Sequence, residues 1–233
     1  MIRLDKFLAQ MNMGTRSEVK NAIRKGKVTV NGEICKNADT KIDEIADVVC
    51  YENIQVCYEK YVYYMLNKPA GVVSATKDNH DKTVLDLLQG ENLQDVFPVG
   101  RLDKDTEGLL LLTNDGDLAH KLLSPKKHIP KTYFVRTKDV VTKDQLEALE
   151  HGVDIGEEAL TMPAQTEMLA ENEIFLTIYE GKFHQVKRML KAVGNEVIYL
   201  KRQKMGKLLL DETLELGEYR KLTTKEIELL NNR

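Results

Sequence analysis

Gly100-Arg-Leu-Asp103-Lys-Asp105-Thr-Glu107-Gly108-Leu-Leu-Leu-Leu112-Thr-Asn-Asp-Gly116 is the stretch whose reading decides the fold of this chain. Its first half sets ionisable side chains around Thr106 between two glycines, which is loop chemistry. Its second half is a short apolar run that has to be buried, so charge is held against the edge of a core. A carboxylate at the lip of a buried strand is well placed to react, because the strand fixes its position and the low dielectric tunes its pKa. Two other readings share the spacing. Asp103, Asp105, Glu107 and Gly108 match the opening of a calcium loop, but the twelfth position is Asn114 rather than a bidentate Glu, and leucines stand where ligands should follow. An ordinary turn leading into a core strand also fits the residues.

Working outward, 233 residues are enough for one large domain or for a small one plus a medium one. A hydrophobic fraction of 42% against 30% charged residues describes a solvated globular protein. No apolar run approaches ~18 residues, and charge begins at Arg3 and Asp5, which excludes a secretory signal and a membrane span and places the expected site of action in the cytoplasm. Cys35, Cys50 and Cys57 lack Cys-x-x-Cys spacing and read as reduced, structural thiols. The net charge of -3 is an average over unlike segments. Between Met1 and Lys27 stand Arg3, Lys6, Arg16, Lys20, Arg24, Lys25 and Lys27, and a second basic stretch runs from Lys182 to Lys207, while acid gathers between Asp211 and Glu228. Two basic stretches in an otherwise acidic chain point to a polyanion held at two places.

Leu4, Phe7, Leu8 and Met11 recur at helical spacing and predict a helix over residues 3–12. Thr15-Arg-Ser-Glu18 is a capping box opening a second helix, with Val19, Ala22 and Ile23 inward and Arg16, Lys20 and Arg24 as a cationic stripe. Asn31-Gly32 after Val28-Thr-Val30 is a hairpin signal, since both residues accept the positive φ of a tight turn. Helix, helix and basic-flanked hairpin resemble the S4 RNA-binding domain. That resemblance spans roughly residues 1–58, leaving residues 59–233 as a second domain.

The second domain reads in short elements. Tyr61–Leu66 is a strand ending in an Asn67-Lys68-Pro69-Ala70-Gly71 turn, and Thr83–Leu88 is a short helix. Phe97-Pro-Val99 leads into the central motif, and a helix after Gly116 stops at Ser124-Pro125. Lys131–Val135 alternates as a strand, residues 144–151 form a helix, and Ile174–Tyr179 is a strand running into Phe183-His184-Gln185-Val186-Lys187-Arg188-Met189. The central motif, the Lys-x-Tyr element at Lys131–Tyr133 and this last run together resemble the pseudouridine synthases that isomerise uridines of ribosomal RNA. The resemblance implies an α+β fold with a mostly antiparallel catalytic sheet preceded by the S4 module.

It also implies a chemistry. Uridine and pseudouridine are isomers, so the conversion needs neither a redox cofactor nor a metal, and no cofactor and no metal ligands are expected. By alignment Asp103 is the reacting carboxylate, Lys187 the cation that pairs with it, and Tyr133 the ring that stacks on uracil and offers a hydroxyl for the C5 proton. Asp103 works either through a covalent adduct or through a glycal. Many relatives carry Arg where Lys187 stands. Arg101 is expected to enter the gap left by a flipped base. The RNA-contacting set is then Arg3, Lys6, Arg16, Lys20, Arg24, Lys25, Lys27, Arg101, His184 and Arg188. Family members acting on large-subunit RNA usually show Arg at both positions 184 and 187. His184 and Lys187 therefore imply 16S rRNA, in a partly assembled small subunit, as the partner of a monomer that binds no membrane. Two alternatives stay open: the same chemistry on 23S rRNA, and a non-catalytic S4-type RNA-binding protein.

Overall fold

The computed structural model describes residues 1–91, 93 and 95–231. The chain divides into two compact units, Met1–Tyr61 together with the short segment from Gln89, and Val62–Leu88 together with the chain from Asp95 on.

In the first unit the helix Leu4–Gln10 is two residues shorter at its end than the periodicity predicts, because Asn12 turns left-handed at φ 60°. The helix Arg16–Arg24 has the full capping box: the Thr15 hydroxyl accepts from the Glu18 N–H, and Glu18 accepts from the Thr15 N–H at 2.7 Å. Val28–Val30 and Glu33–Ile34 pair antiparallel across Asn31 and Gly32, whose φ values of 53° and 86° are those the tight turn requires. The four-stranded sheet continues through Val49–Tyr51 to Ile54–Gln55. Leu4, Phe7, Leu8, Val19, Ile23, Val28, Ile42 and Val49 close over one another as its core. At about 1.5–3 kcal/mol per buried side chain, these contacts rather than helix propensity hold so small a unit together.

The second unit is built on a nine-stranded sheet, counted among the described residues. Its hydrogen-bonded path runs Gln165–Ala170, Glu173–Ile178, Lys131–Thr137, Val197–Met205, Glu107–Thr113, Tyr63–Lys68, Tyr219–Lys221, with Leu208–Leu209 and Phe97–Pro98 paired at its sides. Every pairing is antiparallel except that of Glu107–Thr113 with Val197–Met205. The leucines of the central motif form the 107–113 strand, and Leu109 to Leu112 are all fully buried. A continuous apolar run is what a strand covered on both faces needs. Leu109 and Leu111 pack with Leu118 and Leu122 of the helix Gly116–Leu123 and with Leu230 of the helix Thr224–Asn231.

Two expectations change. Lys68 is not part of a turn but the fully buried last residue of the strand Tyr63–Lys68. The strand Val197–Met205 has no counterpart in the sequence reading, since its Lys and Arg residues hide its alternation. No helix among the described residues is long and apolar enough to cross a membrane.

Candidate active site

Asp103 sits in the loop between Val99 and the 107–113 strand, and the backbone of that loop is tied down carbonyl by carbonyl. The Ser74 hydroxyl donates to the Leu102 carbonyl at 2.9 Å and accepts from its N–H at 3.0 Å. Gly71 N–H donates to the Lys104 carbonyl at 2.7 Å, and Thr106 N–H to the Asp103 carbonyl at 3.1 Å. Lys68 closes the set from beneath: its Nζ reaches the carbonyls of Pro69, Asp103, Lys104 and Thr106 at 3.0, 3.1, 3.3 and 2.9 Å. Burial pushes the Lys68 ammonium down to about 8, against the pull of Asp105, Asp103 and Glu107. The loop is thus positioned by its backbone, which leaves the Asp103 side chain a quarter exposed.

The partners come from the other end of the unit. The helix Gln185–Ala192 buries Val186, Met189 and Leu190, which leaves Lys187 on its flank. The turn before the helix is shaped by Gln185, which is 4% exposed; its side chain accepts from Lys182 N–H at 2.9 Å and donates to Glu180 at 2.8 Å. His184 caps the helix in the left-handed region, at φ 47°. Lys187 Nζ lies 3.4 Å from Asp103 Oδ2, and His184 Nε2 lies 3.5 Å from Asp103 Oδ1. Lys187 donates its closest bond, 2.5 Å, to Asp105. That bond chiefly holds the Asp105 carboxyl below its ordinary range. The cation aligned with Asp103 is therefore shared between two carboxylates.

Tyr133 is buried in the 131–137 strand, and one row of register partners crosses the sheet at its level. Lys68 stands opposite Gly108, Gly108 opposite Arg202, and Arg202 opposite Tyr133. Gly108 lets the two parallel strands close, since a Cβ there would lie 2.3 Å from the Arg202 carbonyl oxygen. Arg202 belongs to the second basic stretch but is 2% exposed; its Nε donates to the Leu109 carbonyl at 2.8 Å, and its Nη2 has no partner among the described residues. That stretch is accordingly not one solvated cationic face.

Of the other expected residues, Arg101 is exposed beside Asp103. Arg188 turns to the protein, bonding Glu157 at 2.8 Å, the Phe183 carbonyl at 3.1 Å and the Ile155 carbonyl. In the first unit Arg3 and Lys20 both face the buried Asp5, at 2.8 and 3.7 Å, and Lys27 pairs with Glu52. Lys6, Arg16, Arg24 and Lys25 are exposed and make no ion pair among the described residues. Lys68, Ser74, Asp105 and Arg202 were not singled out from sequence as site residues. A buried lysine or arginine looks like a surface one until its carbonyl partners are known. Asp105, two residues from Asp103, carried a usable signal.

The RNA pseudouridylate synthase family model matches residues 62–192, the segment that holds Asp103, Tyr133 and Lys187. The chain belongs to that family. As a pseudouridine synthase it is an isomerase, and the S4 domain model matches residues 2–49 ahead of its catalytic unit. It is 50% identical to an uncharacterized RNA pseudouridine synthase of Bacillus subtilis (strain 168), over 99% of this chain and 98% of that protein. It is 44% identical to ribosomal small subunit pseudouridine synthase A of Vibrio cholerae serotype O1, over 97% and 98% of the two chains. A crystal structure of a pseudouridylate synthase superposes with a TM-score of 0.71 at 42% identity, covering 99% of this chain and all of the other.

Proposed function

We propose that this pseudouridine synthase acts as a cytoplasmic monomer on a single uridine of 16S ribosomal RNA in a partly assembled small subunit, with Asp103 as its reacting group. The substrate assignment is supported by the similarity to the Vibrio cholerae enzyme, named for the small subunit, and by the pair His184 and Lys187. The chemistry rests on one observation: a carboxylate on a loop fixed through its backbone, with two basic side chains within 3.5 Å of its oxygens.

The target uridine leaves the RNA stack to reach Asp103. As the N1–C1′ bond breaks, its electron pair leaves with the base, and the Asp103 carboxylate either bonds to C1′ or removes a proton from the sugar. The base then turns. C5 bonds to C1′ as the Asp103–C1′ bond breaks or, on the glycal path, as Asp103 returns its proton to the sugar. The Tyr133 hydroxyl takes the C5 proton as it passes its own on, and N1 gains a proton, so product and substrate have the same atoms and Asp103 is regenerated. Lys187, 3.4 Å from Asp103 Oδ2, sets a positive charge against the carboxylate in a site closed by RNA. Its hold on Asp105 keeps the ammonium at the site before RNA arrives. Arg101 fills the gap in the stack with a planar cation.

Purified protein incubated with 16S rRNA, small-subunit particles and 23S rRNA, followed by chemical mapping of pseudouridine, tests the proposal. Product is expected at one 16S position. Asp103→Asn is expected to lower turnover by more than about a thousandfold while RNA affinity stays within about threefold, since it removes the reacting charge and keeps shape. Product only in 23S rRNA overturns the substrate, and turnover by the variant within tenfold of wild type overturns the role of Asp103.

A further inference from the structure

Phe183 is 73% exposed, yet it is held in place. One face of its ring stacks on the His184 imidazole, with centroids 3.8 Å apart and planes inclined by 17°. Its carbonyl accepts from Arg188 Nη1, and that guanidinium is itself fixed by Glu157 and the Ile155 carbonyl. His184 stands at φ 47°, ψ 36°, a left-handed conformation that a non-glycine residue adopts at some cost and that clusters at functional sites. The same imidazole reaches to 3.5 Å from Asp103 Oδ1. Phenyl, imidazole and carboxylate thus form one continuous arrangement that ends in an open aromatic face.

A solitary exposed phenylalanine needs no explanation on most surfaces. What sets this one apart is that backbone strain and a clamped carbonyl hold an apolar ring out to solvent directly beside the reacting group. Flipping a uridine out of RNA strips a stacking partner from each base next to it. An aromatic face offers such a base a stacking surface, whatever its identity. We infer that the Phe183–His184 pair is a stacking platform for the unpaired base adjacent to the target uridine. The inference rests on Asp103 marking the position of the target. Because stacking ignores base identity, the platform sets how tightly the strand is held at the site and leaves the choice of sequence to other groups.

A double-mutant cycle tests this, with a short RNA containing the uridine that wild-type protein modifies. Dissociation constants are measured on the Asp103→Asn background, so that no turnover occurs. The variants are Phe183→Ala and Phe183→Tyr, each assayed with intact RNA and with RNA abasic at the nucleotide before or after the uridine. Phe183→Ala is expected to weaken intact RNA about tenfold. Removing one of the two neighbouring bases should weaken wild-type binding to a similar degree, and the two effects should not add. Phe183→Tyr keeps the face and should restore affinity. Additive effects at both neighbours, or an unchanged constant for Phe183→Ala, overturn the platform. Since Phe183 is exposed, folding is expected to be unaffected, and the circular dichroism spectrum of the variant checks that. Failure of the parent reading shows separately, as absence of pseudouridine from the RNA treated with wild-type protein.

Discussion

At the scale of single residues, Lys68 holds the loop that carries Asp103. Its ammonium has three protons for four carbonyls, so losing one removes a hydrogen-bond donor as well as a charge. Because burial lowers the Lys68 pKa from 10.5 to about 8, the folded state disfavours that proton. This group's drag on stability is therefore full below about pH 8 and is relieved as pH rises toward the unfolded value. Catalysis should move the other way: kcat is expected to fall on the alkaline side with a midpoint near 8, while Tm does not fall over the same interval. A pH–rate profile beside a melting series checks both. Lys68→Met keeps the apolar stem and bares the carbonyls at about 1–3 kcal/mol each, so it is expected to cost both Tm and at least tenfold in kcat.

Elements meet at positions where one atom decides whether they can. The strands Glu107–Thr113 and Val197–Met205 pair in parallel at Gly108 and Arg202, with Gly108 at φ 100°. Gly108→Ala would bring a Cβ to 2.3 Å from one backbone oxygen and 2.8 Å from a backbone nitrogen, neither of which can swing aside. It is expected to cost more than about 3 kcal/mol, read as a shift in the denaturation midpoint, and to abolish turnover by displacing Asp103 and Tyr133 together. At the end of the chain Arg220, in the strand Tyr219–Lys221, bonds Asp211 at 2.6 Å and Glu226 of the last helix at 2.8 Å. The Arg220 guanidinium holds Glu226 down at about 2; Thr213 and Arg220 do the same for Asp211. Stability from these depressed carboxyls is present above their unfolded values and is lost as pH falls through about 2. Glu226→Gln is therefore expected to lower Tm at neutral pH and to shrink the fall in Tm seen between pH 4.5 and 2 in the wild type.

Over the whole molecule, charge and chemistry are divided between two units. A net charge of -3 coexists with an exposed cationic group, Arg16, Arg24 and Lys25, on and beside the second helix of the S4 unit. Each RNA phosphate that these side chains neutralise adds roughly 0.7–0.9 to the log–log salt dependence of binding. Replacing all three by Ala is expected to flatten that dependence by about 2, with kcat at saturating RNA retained. An unchanged slope would mean that this face does not meet RNA. Lys20 is left out because Asp5 already engages it.

What the sequence by itself determined is local. The capping box at Thr15, the Asn31-Gly32 turn and the buried leucine run are legible because each rests on periodicity, turn chemistry or a short spacing, whereas Asp103, Tyr133 and Lys187 stand out only through the resemblance to a family. Only the tertiary structure decided which charges are buried. Lys68 meets carbonyls 35 to 38 positions away, Arg202 meets one 93 positions away, and Lys187 meets Asp105 across 82. A lysine or arginine has the same pattern signature on a surface as in a core, because its long apolar stem suits either. The difference lies in backbone carbonyls, which every residue carries and which no sequence distinguishes until the strands are in order.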